Sequence, residues 1–473
     1  MGKLRIQNWS LGRIVREMEG RLLGPTLGGE PPKGVSTDTR KLQEGELFFA
    51  LRGDRFDGHE FVDQAVAAGA CAVVVDDRSA VEVESVATVV VDDCIEALGR
   101  LGRGLYRQAR EQGVHSVAIT GSNGKTTTKE LLSTLWSIDG EVWATPGNLN
   151  NHIGVPLTLC AMPADCDHLV VEMGANHRGE ILELVKLVPA DERIITSIGR
   201  AHLEGFGSMA GVRKAKSEIF EYSSRSTTAV VPWTEVEALI PLEFPGNVVT
   251  FGTESGSTVR ILSTQTFSKG LKTGMQVTLE IEGRRRNLEL PLMGRHNATN
   301  LAAAMAALGS RVLEYDEPTL NDALAKLELP GGRQRWVSVG SLEVMDDAYN
   351  ANPSSMRASF RAFEQWCEED QSRPAVAVIG DMHELGEEAK KAHQRLARWL
   401  AGRNILDGVA FFGEYAEAMA EAVEGSRIRD VARPSGIDDV VEWLLKFDAA
   451  RVFIKGSRGN RLERIVDGLE DQS

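Results

Sequence analysis

The stretch Ser116–Thr128, SVAITGSNGKTTT, decides how this chain is read. Val117, Ala118 and Ile119 form a short apolar run that predicts a buried strand, and the run breaks at Gly121 into a loop closed by Gly124, Lys125 and Thr126. Small residues in such a loop let backbone N–H groups face an anion. A lysine brings a mobile positive charge to outer phosphates, and a following threonine offers its hydroxyl to Mg²⁺. Gly121, Ser122, Asn123, Gly124, Lys125, Thr126 and Thr127 are therefore candidate nucleotide-binding positions. The next helix points its positive end at the same anion, and Leu131, Leu132, Leu135 and Trp136 mark its core face. A full P-loop pattern would place a glycine where Ile119 stands, so the loop is a variant, and an ordinary Gly-rich turn is the competing reading.

Working outward, 473 residues suggest about three domains, each large enough for its own core. With 68 acidic against 53 basic side chains the net charge is −15, which argues against a general binder of nucleic acid or anionic membrane. Five scattered cysteines without metal-type pairing imply free thiols in a reducing compartment. The N-terminus has no long apolar core, and no run approaches the roughly 20 apolar residues of a membrane span. The expectation is a cytoplasmic protein with no membrane insertion.

Residues 1–110 read as a small α/β domain with helices at Ser10–Leu22 and near Cys94–Glu111. Between them GVSTDTRKLQEGELFFALRGDRFDGHEF places Asp38, Arg40, Arg52, Asp54, Asp57 and His59 around a strand, Glu46–Leu51. Such charges are either solvated or form a site for a polar, anionic small molecule. Residues 111–330 alternate strand and helix patterns, as a mostly parallel sheet covered on both faces would, with a β-rich excursion between about 226 and 292. Ligands of open α/β sheets sit beyond the carboxyl ends of strands. Those ends carry Thr145-Pro146-Gly147-Asn148, Glu172-Met173-Gly174 and Gly199-Arg200-Ala201-His202. Glu172 would present a carboxylate to Mg²⁺ on a nucleotide, whereas His202 reads equally as a loop histidine or a ligand. Asn297 and Asn300 share a helix face one turn apart, placed to meet an amide-like or base edge. Leu329-Pro330-Gly331-Gly332-Arg333 suggests a hinge. Residues 331–473 predict a third, doubly wound Rossmann-like domain whose polar clusters DDAYNANPSS, GDMHELG and KGSRGN again follow strands.

Those segments together resemble the ATP-dependent Mur ligases of bacterial cell-wall synthesis over essentially the full length: DTRKLQEGELFFALRGDRFDGHEF, TGSNGKTTTKE, TPGNLNNHIGVPLTL, EMGANHRGEI, GRAHLEGFGS, MGRHNATNLAAA, DDAYNANPSSM, GDMHELG and IKGSRGNRLE. DDAYNANP and GDMHELG are similar to the branch that adds D-alanyl-D-alanine to a UDP-N-acetylmuramoyl-tripeptide. A DNPR motif, carried by the sister ligase that adds a diamino acid, is missing. The resemblance implies ATP and two Mg²⁺ ions, two small-molecule substrates, a monomer, and an acyl-phosphate route to an amide bond. It implies catalytic and metal-ligating roles for Lys125, Thr126, Glu172, His202 and Lys216, the last as a carbamate, with Lys214 two residues away. It places Asn297, Asn300, Arg333 and Asp347 at ATP. Asp38, Arg40, Arg52 and His59 would receive the UDP-sugar. Asn148, Asn150, Asn151, Asn350, Asn352, Ser354, Lys455, Ser457 and Arg458 would lie near the other substrate groups. A folylpolyglutamate-type ligase and a non-catalytic nucleotide-binding switch are the rival readings.

Overall fold

The computed structural model describes residues 3–24, 30–53, 56–77, 86–199, 203–269 and 272–472. His202 and Asp54 lie outside the described residues. The fold is α/β, built on three large sheets that follow one another along the chain.

The phosphate-loop strand, His115–Thr120, sits inside a nine-stranded sheet, parallel to His168–Glu172 on one side and to Glu192–Ile195 on the other. Its apolar run is continuous because both of its faces are covered. Val117 and Ile119 join a core with Val170, Ile194 and Val230, while Ala118 joins a second core with Leu169, Val171 and Ile195. Leu131, Leu132, Leu135 and Trp136 of the helix Lys125–Trp136 complete the first core. Truncating one of these leucines to alanine costs about 2–5 kcal/mol. Parallel pairing brings the carboxyl ends of these strands to one place: Met173 N donates to Ile119 O at 2.8 Å and Thr196 N to Thr120 O at 2.9 Å.

The β-rich region expected within the middle part of the chain extends this same sheet. Thr228–Pro232 and Asn247–Gly252 continue the parallel order, and Val259–Lys269, Lys272–Ile281 and Arg284–Leu290 finish it as an antiparallel meander. The helix Arg295–Leu308 crosses back over these strands to the phosphate-loop helix. Its run from Leu301 to Leu308 is buried throughout, and the small alanines allow close packing.

In the first sheet Leu47–Phe49 lies between Val35–Ser36 and Ala72–Val75. The expected helix Ser10–Leu22 ends early, at Glu17. Glu19 has φ +58°, Gly20 follows, and Arg21–Leu23 turns into an edge strand antiparallel to Ala87–Val90. The third sheet runs Arg335–Val339, Leu342–Asp346, Arg451–Lys455, Ala375–Ile379, Gly408–Phe411, Asp430–Ala432, parallel apart from the first pair. Helices cover both faces, since Ala377 and Ile379 belong to one core and Val376 and Val378 to another. Among the described residues no helix is long and apolar enough to cross a membrane, and all five cysteines are free.

Candidate active site

Two clefts meet at the phosphate loop. One, about 430 Å³, has walls that include Asn297, Asn300, Arg333, Asp347, Ser354 and Lys455. The other, about 520 Å³, includes Lys125, Thr126, Asn148, Asn150, Asn151, Glu172, Asn352, Ser457 and Arg458. Asn123, Gly124, Thr127, Arg333, Tyr349 and Asn350 line both. The seam between the middle and third sheets thus holds most of the residues the sequence singled out.

The loop needs glycine where it bends. Gly124 has φ +83°, and a Cβ there would lie 2.3 Å from Asn300 Oδ1; at Gly121 it would lie 2.0 Å from Thr196 Oγ1. Lys125 Nζ curls back to donate to Gly121 O at 2.9 Å. Burial lowers the pKa of its ammonium, Glu172 opposes that shift, Arg333 adds to it and Glu384 opposes it. Thr126 Oγ1 donates to Glu172 Oε2 at 2.8 Å, and Asn150 Nδ2 donates to Glu172 Oε1 at 2.8 Å. The Glu172 backbone N–H is itself held by Thr145 Oγ1 at 2.9 Å. Arg333 reaches across from the segment 329–333, donating to Thr126 Oγ1 at 3.2 Å and to Pro330 O at 2.9 Å. A hydroxyl and a carboxylate in contact, with cations on either side, form a hard oxygen donor set of the kind Mg²⁺ takes.

Lys216 ends the helix Met209–Ser217 with its side chain buried, its Nζ 5.4 Å from the centre of the Phe206 ring. Burial pushes its pKa down to about 7; Lys125 adds to the shift, while Glu180 and Glu218 oppose it. Lys214 is exposed. Of the two neighbouring lysines, Lys216 is the buried one, and its desolvation disfavours the ammonium form.

The third sheet closes against the loop. Asn352 caps the helix Pro353–Glu369, accepting from Ser354 N and Ser355 N, and its Nδ2 donates to Asn123 Oδ1 at 2.7 Å. Asn123 Nδ2 donates to Ser354 Oγ at 2.9 Å. Asn352 and Ser354, singled out for the substrate, are thus engaged in docking their loop on the phosphate loop. Lys455 bonds Asp347 Oδ2 at 2.6 Å and the carbonyls of Asp347 and Asn350, on the wall of the smaller cleft. Ser457 and Arg458 face the larger one. Asn297 Nδ2 donates to Met293 O and Gln334 Oε1, and Asn300 Nδ2 to Asn297 Oδ1, so the pair forms a braced polar wall.

The first-domain charges pair with one another. Arg40 grips Asp38 through two bonds of 2.8 Å and holds its pKa down to about 2. Arg52 meets Asp57, Asp76 and Asp77 at 3.1, 3.4 and 3.7 Å, and His59 Nδ1 lies 2.6 Å from Asp57 Oδ1. None of Asp38, Arg40, Arg52 or His59 lines the two clefts.

Tyr349, His296, Gln334, His383 and Glu384 line the clefts without having been singled out. All but Gln334 stand inside quoted motifs. Tyr349 is the platform of the site: the Arg333 guanidinium carbon lies 3.4 Å and that of Arg458 5.2 Å from its ring centre.

Family models match in succession: the Mur ligase family catalytic domain at residues 32–118, the Mur ligase middle domain at 119–308, and the Mur ligase glutamate ligase domain at 332–458. The chain is similar to the UDP-N-acetylmuramoyl-tripeptide–D-alanyl-D-alanine ligase of Bacillus subtilis (strain 168), 33% identical over 461 residues, covering 96% of this chain and 97% of that protein. Its fold is similar to that of MurF from Acinetobacter baumannii, with a TM-score of 0.84 and 30% identity over 98% of this chain and 99% of the other. It is similar also to the Thermotoga maritima MurF ligase solved in complex with ADP, with a TM-score of 0.79 and 28% identity over 93% and 97% of the two chains. With three successive domain models matched and a relative aligned almost end to end, the chain belongs to the Mur ligase family.

Proposed function

We propose that this protein joins D-alanyl-D-alanine to a UDP-N-acetylmuramoyl-tripeptide at the expense of ATP, by way of an acyl phosphate. The observation that carries this reading is the contact set Lys125, Thr126, Glu172, Asn150 and Arg333 at the junction of two clefts. One cleft suits a nucleotide and the other its reaction partners. The braced amides of Asn297 and Asn300, with Asp347 opposite, offer polar edges to the nucleoside half.

The chain's own work is positioning and charge neutralisation. Loop amides and Lys125 hold the transferring phosphoryl group, and Arg333 adds a second cation from across the hinge. Contact between the third-domain loop and the phosphate loop excludes water that would hydrolyse the activated acid. The tripeptide's terminal carboxylate attacks the γ-phosphate, and the dipeptide amine then displaces phosphate from the acyl carbon.

Mg²⁺ fits the donor set, with Thr126 and Glu172 as oxygen ligands and Lys216 supplying a third once carbamylated. A buried lysine with a pKa near 7 is suited to carbamylation, because the uncharged amine is the form that adds CO₂. His202 is proposed for a second ion. Bound there, Mg²⁺ would draw charge from the phosphate oxygens. The Arg52–His59 face of the first domain is proposed to hold the UDP-sugar, and the protein to act as a cytoplasmic monomer on small molecules without nucleic acid.

The test is incubation with Mg²⁺-ATP, D-alanyl-D-alanine and a UDP-N-acetylmuramoyl-tripeptide carrying lysine or diaminopimelate at its third position, following phosphate and product mass. Phosphate release that requires both substrates and yields a UDP-pentapeptide is the expected result. ATP binding without turnover on either tripeptide overturns the reading in favour of the nucleotide switch. Turnover on a folate acceptor instead favours the folylpolyglutamate-type ligase.

A further inference from the structure

The first domain brings together a histidine, a carboxylate and a thiol that no local motif links. His59 lies in the turn Gly58–Phe61, Asp76 directly follows the strand Ala72–Val75, and Cys94 is the first residue of the helix Cys94–Glu111. One ligating atom from each lies within 4.8 Å of the other two. The His59 side chain is 5% exposed and that of Asp76 15%, while Cys94 is fully buried. None of the three lines the clefts at the phosphate loop.

Hydrogen bonding fixes which atoms face one another. His59 Nδ1 lies 2.6 Å from Asp57 Oδ1, an oxygen that also accepts His59 N at 3.0 Å. A carboxylate there places the ring proton on Nδ1 and leaves the Nε2 lone pair directed at Asp76. Asp76 N donates to that lone pair at 3.3 Å, and Asp76 Oδ1 lies 3.2 Å from the same nitrogen. Among the described residues this oxygen, shielded from solvent, has no well-formed hydrogen bond, and Arg52 Nη2 stands 3.4 Å from it. Two acceptors therefore face each other across a gap that suits a cation. Cys94 Sγ is 3.6 Å from Val74 O, and burial first, then the Asp76 carboxylate, oppose loss of its proton. A second group, His115, Asp191 and Glu192, meets the same distance, but Asp191 is already committed to Arg110, Ser116 N and Ser116 Oγ.

We propose that His59, Asp76 and Cys94 form a site for a thiophilic divalent cation, with Zn²⁺ the ion that their mixed nitrogen, oxygen and sulfur donors suit. Hard Mg²⁺ disfavours a thiolate, whereas zinc takes all three donor types. Ligand atoms around one zinc sit roughly 3–4 Å apart, given Zn–S of about 2.3 Å and Zn–N of about 2.0 Å, so the cluster needs only a small contraction. Asp57 stands on the far ring nitrogen, where a carboxylate orients a ligating histidine. As sulfur bonds the ion the Cys94 thiol gives its proton to solvent, and the half-exposed Arg52 side chain turns from Asp76. Water fills the fourth position. The ion pins the turn, the strand end and the helix start to one another, and the site does not depend on the reaction proposed above.

The experiment titrates the full-length, metal-stripped protein with Co²⁺, a spectroscopic stand-in for Zn²⁺, with excess Mg²⁺ present throughout to occupy hard oxygen sites. Wild type is expected to develop thiolate-to-cobalt charge-transfer absorption that saturates at one equivalent and is bleached by Zn²⁺. Cys94→Ser should lose that absorption, and Cys71→Ser, which removes the one thiol that is not buried, should keep it. Asp57→Asn should keep the absorption but weaken Zn²⁺ binding about 10- to 100-fold, read by competition with a chromophoric chelator. Wild type without the absorption overturns the site and leaves a second proton on the His59 ring as the cation between the two acceptors. Absorption that survives in Cys94→Ser overturns it in favour of another thiol. Zn²⁺ affinity unchanged in His59→Gln removes the histidine, and the site with it.

Discussion

Two regions gather polar residues at strand ends, and they do so differently. At the phosphate-loop seam, groups from the middle and third sheets converge on open clefts: Thr126 on Glu172, Arg333 on Thr126, Asn352 on Asn123. Lys125 is held there against its own desolvation. In the first domain Arg52 and His59 form ion pairs with Asp57 and Asp76, and Arg40 pairs with Asp38 while its side chain is 85% exposed. Density of charge is common to both. Desolvation and incomplete mutual neutralisation set the seam apart, and these make a group reactive.

The sharpest way to break this contrast is Lys125→Ala. Losing a charge contact made in the transition state should lower kcat about 10²- to 10³-fold, read from ADP formation in a single turnover. Turnover close to wild type would remove Lys125 from the chemistry.

His296 tests desolvation at the seam through stability. Its pKa is pushed down to about 4, chiefly by burial, while Asp347 pulls it up and Lys455 pushes it down. Gln334 Nε2 lies 3.4 Å from its Nε2, a donor suited to the neutral ring. Between pH 4 and 6.5 the unfolded chain therefore binds more protons at this site than the folded one. Stability should fall as pH drops through that window, by at most about 3 kcal/mol from this group. Denaturant titrations should show a shallower acid limb for His296→Gln. An equal slope would mean that the ring is not held neutral.

Arg52→Ala asks whether the first-domain cluster is more than solvated charge. Its ion pairs are exposed, so the melting temperature should hold. The KM for the UDP-substrate should rise about tenfold, with the KM for ATP unchanged, if Arg52 supplies a charge-assisted bond to that ligand. No change in either KM would leave the cluster a surface network.

The smallest effect is expected from Asn123→Ala, which removes the bonds to Asn352 and Ser354, each worth about 1 kcal/mol. Small-angle scattering with ATP and UDP-substrate should show a smaller compact population than in wild type. Superimposable profiles would show that these bonds do not hold the seam closed.

Much of this was legible in the residues. The apolar runs at 117–119, 168–172 and 375–379 read as strands because parallel strands covered on both faces need no alternation, and the Gly-Lys-Thr loop could follow such a strand. The sequence pattern carries the helix at Leu11 past its true end because the left-handed Glu19 gives no local signal, and the pairing of Arg21–Leu23 is with residues nearly seventy positions away. Tyr349 sits inside a quoted motif, yet its place under Arg333 and Arg458 depends on neighbours from remote segments.

The sequence by itself determined the fold class, the phosphate loop and the inventory of polar groups at strand ends, because these follow from local periodicity, glycine positions and residue chemistry. Tertiary structure decided which of those groups meet. It buried Lys216 and left Lys214 exposed, turned Lys455 toward Asp347, paired Arg52 with its own acids, and set Glu384 and Arg458 on one wall. Proximity and desolvation arise between segments far apart in the chain, so neither can be read from any one of them.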